Sequence, residues 1–394
     1  MRFFNIVIIF IFMAMLMLPL IFVDLSQDRV SVQENRMLAN FPKLADLKHN
    51  YGKFIHDFDA WFKDSIGFRE QLLKLYNISG INSWYSGVQY KEGKYVYLVG
   101  ENGHHYYAGE NGYLIQRYQG EKLFPDEQLS SMANKLEEVK VYLDNKGIPF
   151  IIMFCALKEE IYPEFYPKAI KRSPEPIPLD VITAYIQEHA GIDTFNIRQV
   201  LLAEKNNYLL YYKNSFEDFH YTEIGAFFAY RELMKHINVY FPEITPYELE
   251  DIEISYDNEG IPDVSLKTKP AYKKLDASFF DDVEVGRPFS WENAAYENTN
   301  TNLPVILFFS DSFSGFIYSD LEKKYIKQFI ASHFGKAIFI HITNFIRFQE
   351  YVEKYNPDIV VFEAMDIINA PHIFNLIPEL TVPPPLRKVL NETQ

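Results

Sequence analysis

From residue 126 onward, short apolar runs alternate with amphipathic stretches, and this alternation limits the fold more than any other feature of the chain. The runs are "IPFIIMFCA" (148–156), "IDTFNI" (192–197), "LPVILFF" (303–309), "KAIFIHI" (336–342) and "PDIVVFEAM" (357–365). Several of them are apolar almost throughout rather than at every second position, which predicts strands buried on both faces. Between them lie helical patterns: "DEQLSSMANKLEEVKVYLDNKG" with a stop at Gly147, "PLDVITAYIQEHAG", "TEIGAFFAYRELMKHINVYF" from Thr222, "YSDLEKKYIKQFIASHFG" and "FIRFQEYVEKYN". "NYLLYY" (207–212) predicts one more short strand. The expected fold is α/β, a mainly parallel sheet flanked by helices on both faces. Sites in such sheets form beyond the carboxyl ends of the strands.

The chain ahead of this region differs. Residues 3–23, "FFNIVIIFIFMAMLMLPLIFV", carry no charge and follow Arg2. That length suits one crossing of a bilayer, and "FVDLSQ" offers no small-residue cleavage site. The expectation is an uncleaved transmembrane signal anchor over 1–24, with Arg2 on the cytoplasmic side and the rest of the chain extracytoplasmic, on the periplasmic or cell-surface side. Residues 25–125 read as a tether, then helical spacing at Phe54, Phe58, Trp61 and Phe62 and again at Leu72, Leu73 and Tyr76, broken near Gly67. A small β-meander follows, with Asn102-Gly103 and Asn111-Gly112 as turns. His104 and His105 beside the first turn read as surface residues, because no further ligand lies at metal-binding spacing. Residues 126–394 form the expected catalytic domain. The polar segment at about 240–300 reads as an insertion, and "TVPPPLRKVLNETQ" as a loose end.

Composition sets outer limits. Hydrophobic residues make up 48% of the 394 and charged residues 23%, so a packed core is expected. A net charge of −15 argues against nucleic acid, which requires a basic face, and disfavours a strongly anionic polymer unless a local basic patch compensates. The single cysteine, Cys155, sits within an apolar run and reads as a buried core thiol. The sequence predicts neither a metal nor a cofactor.

Two short segments carry chemistry. In "SFEDFHYTEIGA" (215–226), Asp218 and His220 would face the same way on extended backbone, so the carboxylate could fix the imidazole tautomer. Thr222 would cap the helix that follows. In "LPVILFFSDSFSGFI" (303–317), a strand runs into Asp311-Ser312-Phe313 and places a serine at the sheet's carboxyl edge. Each segment alone has a plain structural explanation: a loop that happens to carry a histidine, or Ser310, Ser312 and Ser314 capping a helix. Asp311 reads as a local cap or turn-former.

These segments resemble the SGNH-type O-acetyltransferases of bacterial exopolysaccharide pathways, the alginate acetylation proteins J and X and their relatives. "DFHYTEIGA" is similar to the family's Asp-x-His-Trp segment, with Tyr221 where Trp is usual. "FFSDSFS" is similar to its serine segment, with Ser310 where Gly is usual. Further likenesses are "ENRMLANFP" (34–42), "WFKDSIGFRE" (61–70), "KEEIYPEF" (158–165) and "YNPDIVVFEAMD" (355–366). The resemblance implies an SGNH-hydrolase-like fold with Ser312 as nucleophile, His220 as general base and acid, and Asp218 as orienting carboxylate. It also implies an acetyl-serine intermediate, a polysaccharide acceptor and a membrane-bound O-acyltransferase as acetyl donor. Asn344 and Arg347, in "HITNFIRF", are candidates for a side-chain oxyanion donor, against an ordinary surface or packing role for each. Some relatives carry a C-terminal carbohydrate-binding module; here a single groove is expected to bind the glycan. An acetylesterase using the same three residues, or a catalytically silent glycan-binding scaffold, stands as the alternative. The scaffold would be favoured if His220 and Ser312 lay too far apart to hydrogen-bond.

Overall fold

The computed structural model describes residues 12–13, 17–26, 30–31, 36–44, 47, 51–69, 88–92, 95–110, 113–120, 126–174, 176–213, 220–258, 260–280, 293–318, 321–323, 325–365 and 377–378. Much of the apolar run at 3–23, the helical pattern at Leu72, Leu73 and Tyr76, and the C-terminal tail lie outside them. No helix among the described residues is long and apolar enough to cross a membrane. The chain divides into two compact units, Met1–Gln89 and Tyr90–Gln394.

In the first unit, β1 (Val30–Ser31) pairs with β2 (Arg36–Met37), and α1 spans Tyr51–Ser65. Trp61 on α1 is buried, with the Phe41 ring edge-on at 4.7 Å. Asp64 accepts the Ala39 N–H at 2.8 Å and pairs with Arg69 at 3.4 Å. Two of the family-like segments, around residues 34–42 and 61–70, therefore fold onto each other through one buried carboxylate. Gly67 ends the helical run as expected: its N–H donates to the Pro19 carbonyl, and a Cβ there would meet the Phe22 carbonyl oxygen at 2.4 Å.

The second unit carries the sheet. A three-stranded meander comes first: β3 (Val88–Glu92), β4 (Tyr95–Val99) and β5 (His105–Glu110). His104 departs from expectation. It is buried, with its ring stacked on Phe165 at 4.3 Å. Burial, with the Lys158 charge added, pushes its pKa down to about 4. The turn signal Asn102-Gly103 located the turn and gave no sign of the aromatic wall behind it.

The remaining elements are α2 (Tyr113–Tyr118), α3 (Asp126–Asp144), β6 (Phe150–Cys155), α4 (Lys158–Ile161), α5 (Pro178–Ala190), β7 (Asp193–Asn196), α6 (Arg198–Glu204) and α7 (Glu223–Tyr240). After these come β8 (Ile252–Tyr256), β9 (Pro262–Leu266), β10 (Tyr272–Lys274), β11 (Ala294–Asn298), β12 (Val305–Ser310), β13 (Phe316–Tyr318) and β14 (Leu321–Lys323). The last are α8 (Tyr325–Ile330), β15 (Lys336–His341), α9 (Phe348–Tyr355) and β16 (Ile359–Met365). The main sheet has the order β10-β11-β15-β12-β16-β6-β7. The five strands from β15 to β7 are parallel, and β10 and β11 extend them antiparallel. This is an α/β fold with a mixed sheet and flanking helices. Central strands are buried along almost their whole length, as apolar runs without alternation require. Each Ile, Val or Phe they sequester contributes about 1.5–3 kcal/mol of transfer free energy.

Three local expectations change. "NYLLYY" forms no strand, only the single bridge Tyr211–Tyr221, because its backbone serves the loop bearing His220. The stretch from Tyr318 is not one long helix. Gly315, at φ 128, turns the chain into the hairpin β13–β14, and helix begins only at Tyr325. The segment at 240–300 supplies the β8–β9 hairpin and two strands of the main sheet. Its polar sequence suits β10 at the sheet edge, where one side faces solvent and no continuous apolar run is needed, whereas β11 is an inner strand and mostly buried.

Candidate active site

Parallel register aligns the carboxyl ends of the central strands. Ser310 of β12 pairs with His341 of β15, and Met365 of β16 with Cys155 of β6. The chain leaving β12 makes a 3-10 turn over Ser312–Ser314 at that edge. Asp311 caps the turn as the sequence suggested: its Oδ1 accepts the Phe313 N–H at 2.9 Å and its Oδ2 the Met365 N–H at 2.5 Å. Lys327, itself buried, donates its ammonium to the Gly315 carbonyl and closes the far side. Among the described residues, the Ser312 N–H has no intramolecular acceptor.

His220 approaches from the other direction, just ahead of α7. Thr222 is the N-cap, with its Oγ1 accepting from the Gly225 N–H and donating to the Leu209 carbonyl at 2.7 Å. Gly225 is a requirement of close approach: a Cβ there would lie 2.4 Å from the Leu210 carbonyl oxygen. Tyr221 donates to the Phe313 carbonyl at 2.6 Å and ties the histidine segment to the serine turn. His220 Nε2 stands 2.8 Å from Ser312 Oγ, and the imidazole is almost fully buried beside the Phe313 ring at 4.9 Å. The two side chains singled out in the sequence thus meet across a hydrogen bond at the sheet's carboxyl edge. Asp218 lies outside the described residues.

Asn344 and Arg347 fall on the 3-10 turn Ile342–Arg347 that follows β15, at the same edge. Neither hydrogen-bonds Ser312. Asn344 is half-buried, whereas the Arg347 guanidinium grips the Glu350 carboxylate at 2.6–3.2 Å.

Two features beneath the site were not legible as such. The first is the "KEEIYPEF" segment. Lys158, 1% exposed, donates to the carbonyls of His105 (2.7 Å), Tyr212 and Lys213 (3.0 Å), and so holds the chain leading toward Asp218. Tyr162 accepts the Leu210 N–H at 3.1 Å. Glu160 accepts from Arg117 at 2.9 Å and from the Leu157 N–H at 3.0 Å, and burial still raises its pKa against the Arg117 charge. The second is Glu363, fully buried on β16. It accepts from Ser314 Oγ at 2.7 Å, the Asp311 N–H at 3.3 Å and the Cys155 thiol at 3.0 Å. Burial, with Asp311 beside it, pushes its pKa well up, and burial likewise raises Asp311. Cys155 is the buried core thiol expected, with its pKa raised by burial and then by Glu363. The signal for Glu363 was present: one acid inside the apolar run "IVVFEAM". Among the described residues no group of histidine, cysteine and carboxylate side chains could hold a metal.

Residues 107–254 match the family model described as "SGNH hydrolase-like domain, acetyltransferase AlgX". This match agrees with the resemblance that the short motifs carry and, with the sheet's architecture, supports an SGNH-hydrolase-like α/β fold; the matched stretch includes Asp218 and His220 and ends before Ser312. Among curated proteins, none matches the chain significantly. Solved structures with similar folds include a DHHW family protein from Eubacterium siraeum DSM 15702, 12% identical, with a TM-score of 0.48 over 73% of this chain and 96% of that one. PatB1 of Bacillus cereus is 14% identical, with a TM-score of 0.44 over 63% and 90%. The O-acetyltransferase domain of Pseudomonas putida AlgJ is 12% identical, with a TM-score of 0.42 over 71% and 98%.

Proposed function

We propose that this chain is a membrane-anchored, extracytoplasmic O-acetyltransferase that moves acetyl groups onto hydroxyls of an exopolysaccharide or cell-wall glycan through an acetyl-Ser312 intermediate. The observation that carries the reading is the 2.8 Å contact between His220 Nε2 and Ser312 Oγ. It is within the range over which an imidazole can take a hydroxyl proton. The match to an AlgX-type acetyltransferase domain supports O-acetylation of a polysaccharide in general terms.

In the first step Ser312 Oγ attacks the acyl carbon of the donor while its proton passes to His220 Nε2. The tetrahedral oxyanion collapses, the bond from acyl carbon to donor breaks, and His220 returns the proton to the leaving group. In the second step His220 takes the proton of a sugar hydroxyl, whose oxygen attacks the acetyl carbon. The Ser312 ester bond breaks and Ser312 Oγ regains the proton. Asp218 orients the imidazole and stabilises its charged form. The Ser312 N–H, without an intramolecular acceptor among the described residues, serves as one oxyanion donor. Asn344 is the candidate second donor, since Arg347 is engaged by Glu350.

The uncharged run at 3–23 behind Arg2 supports the anchor, and a membrane-bound O-acyltransferase is the proposed acetyl donor. Tethering beside that donor raises the effective concentration of acetyl groups at Ser312. The deciding experiment treats the protein with p-nitrophenyl acetate and analyses the peptide containing Ser312 by mass spectrometry. One added acetyl group there, lost in Ser312→Ala and His220→Ala, is expected. Unchanged p-nitrophenol release in both variants would reject the assignment. Adding oligosaccharide acceptors then separates transfer from hydrolysis.

A further inference from the structure

We propose that Asp311 and Glu363 form a proton-sharing carboxyl pair, with the proton on Glu363 and the charge on Asp311, and that this pair positions the Ser312 turn for attack. This builds on the reading of Ser312 as nucleophile. Neither carboxyl has a lysine or arginine in an ion pair among the described residues, and Glu363 is completely buried. Two adjacent acids in such surroundings cannot both ionise. The donors around them decide which keeps the charge. Asp311 receives two backbone N–H groups, from Phe313 and Met365, which cannot turn away. Glu363 faces mainly a hydroxyl and a thiol, Ser314 and Cys155, which can rotate to accept. Among the described residues, the only fixed donor to Glu363 is the long contact from the Asp311 N–H.

The pair joins β16 to the turn at residue 311 and again at residue 314, on either side of the nucleophile. The titratable groups around it are Cys155 from β6, Tyr221 and His220 from the segment before α7, His341 from the end of β15 and Lys327 from α8. Lys327 is committed to the Gly315 carbonyl rather than to either acid. Burial raises both carboxyls, Glu363 the more strongly, which agrees with a retained proton. Losing that proton would put a second charge beneath Ser312 and loosen the turn.

The full-length chain and its Glu363→Gln, Glu363→Ala and Ser312→Ala variants are compared. The infrared difference spectrum of wild type minus Glu363→Gln at neutral pH is expected to show a protonated-carboxyl carbonyl component, the contribution of Glu159 being common to both proteins and cancelling. Acetylation of Ser312 should keep most of its rate in Glu363→Gln, which preserves shape and neutrality, and should lose the alkaline decline of the wild type. In Glu363→Ala, kcat should fall about 100-fold with KM little changed, the scale expected for a nucleophile displaced by about 1 Å. The proposal is overturned if that difference component is missing, or if a folded Glu363→Gln is as slow as Glu363→Ala. If Ser312→Ala reacted like wild type, the nucleophile reading would fail, and the infrared comparison would still judge the carboxyl pair.

Discussion

The serine turn and the histidine segment meet at one hydrogen bond, yet they are held by opposite chemistry. The turn rests on acids: half-buried Asp311 and fully buried Glu363, neither in an ion pair with a lysine or arginine among the described residues. The approach to the histidine rests on a cation: Lys158, whose ammonium is surrounded by three backbone carbonyls, with Glu160 paired to Arg117 nearby. A buried carboxyl can shed its charge by keeping a proton. Carbonyl dipoles instead need a donor that stays in place. The difference teaches that this site has one support tuned by protonation and one that is essentially fixed.

The largest expected effect strikes where the two supports meet. Ser312→Ala and His220→Ala should each lower acetyl-ester turnover by roughly 10⁴-fold, and the double variant little further, because residues acting as one unit are not additive. Steady-state kinetics of the three proteins checks this. Additive losses would mean that the two side chains do not work together.

Lys158→Met tests the fixed support. Three carbonyls lose a charged donor in a buried setting, so stability should fall by about 3 kcal/mol, measured by denaturant unfolding. Turnover should fall too, because the chain leading into the histidine segment is released. Wild-type activity in a folded Lys158→Met would show that the histidine needs no such hold.

Glu159 sharpens the contrast within "KEEIYPEF". It is buried next to the paired Glu160, and burial followed by the Glu160 charge raises its pKa from 4.5 to about 7. A folded-state value above the unfolded one means that its stabilising contribution is whole below about pH 4.5 and lost as pH climbs through about 7. The full change is on the order of 3 kcal/mol. Glu159→Gln should therefore flatten the decline in thermal midpoint between pH 5 and pH 8, leaving the variant the more stable at pH 8. An unchanged decline would place the pH sensitivity elsewhere.

The smallest effect is expected at the stitch between the supports. Tyr221→Phe keeps the ring contacts with Phe313 and removes the hydroxyl bonded to its carbonyl, for a loss of about 1–2 kcal/mol. Equilibrium unfolding would register it. A much larger loss would mean that the hydroxyl also supports Cys155, its other buried neighbour.

The sequence by itself determined the parallel half of the sheet, because strands buried on both faces must be written as unbroken apolar runs such as "FIIMFC" and "IVVFEAM". It marked His220 and Ser312 as chemistry-bearing, since each sits where a strand-like run gives way to a turn or helix cap. Tertiary structure alone decided the rest. Edge strand β10 leaves no strong pattern, because a half-solvated strand tolerates polar residues, and the short β11 beside it, though mostly buried, carries Glu297 and Asn298 within a polar stretch. The burial of His104 depends on Phe165, far along the chain. The roles of Lys158 and Glu363 follow from which carbonyls, thiol and hydroxyl lie opposite them, and those partners come from segments more than 40 residues away. Local sequence encodes how much of a side chain must be hidden; only the assembled fold supplies the group it is hidden against.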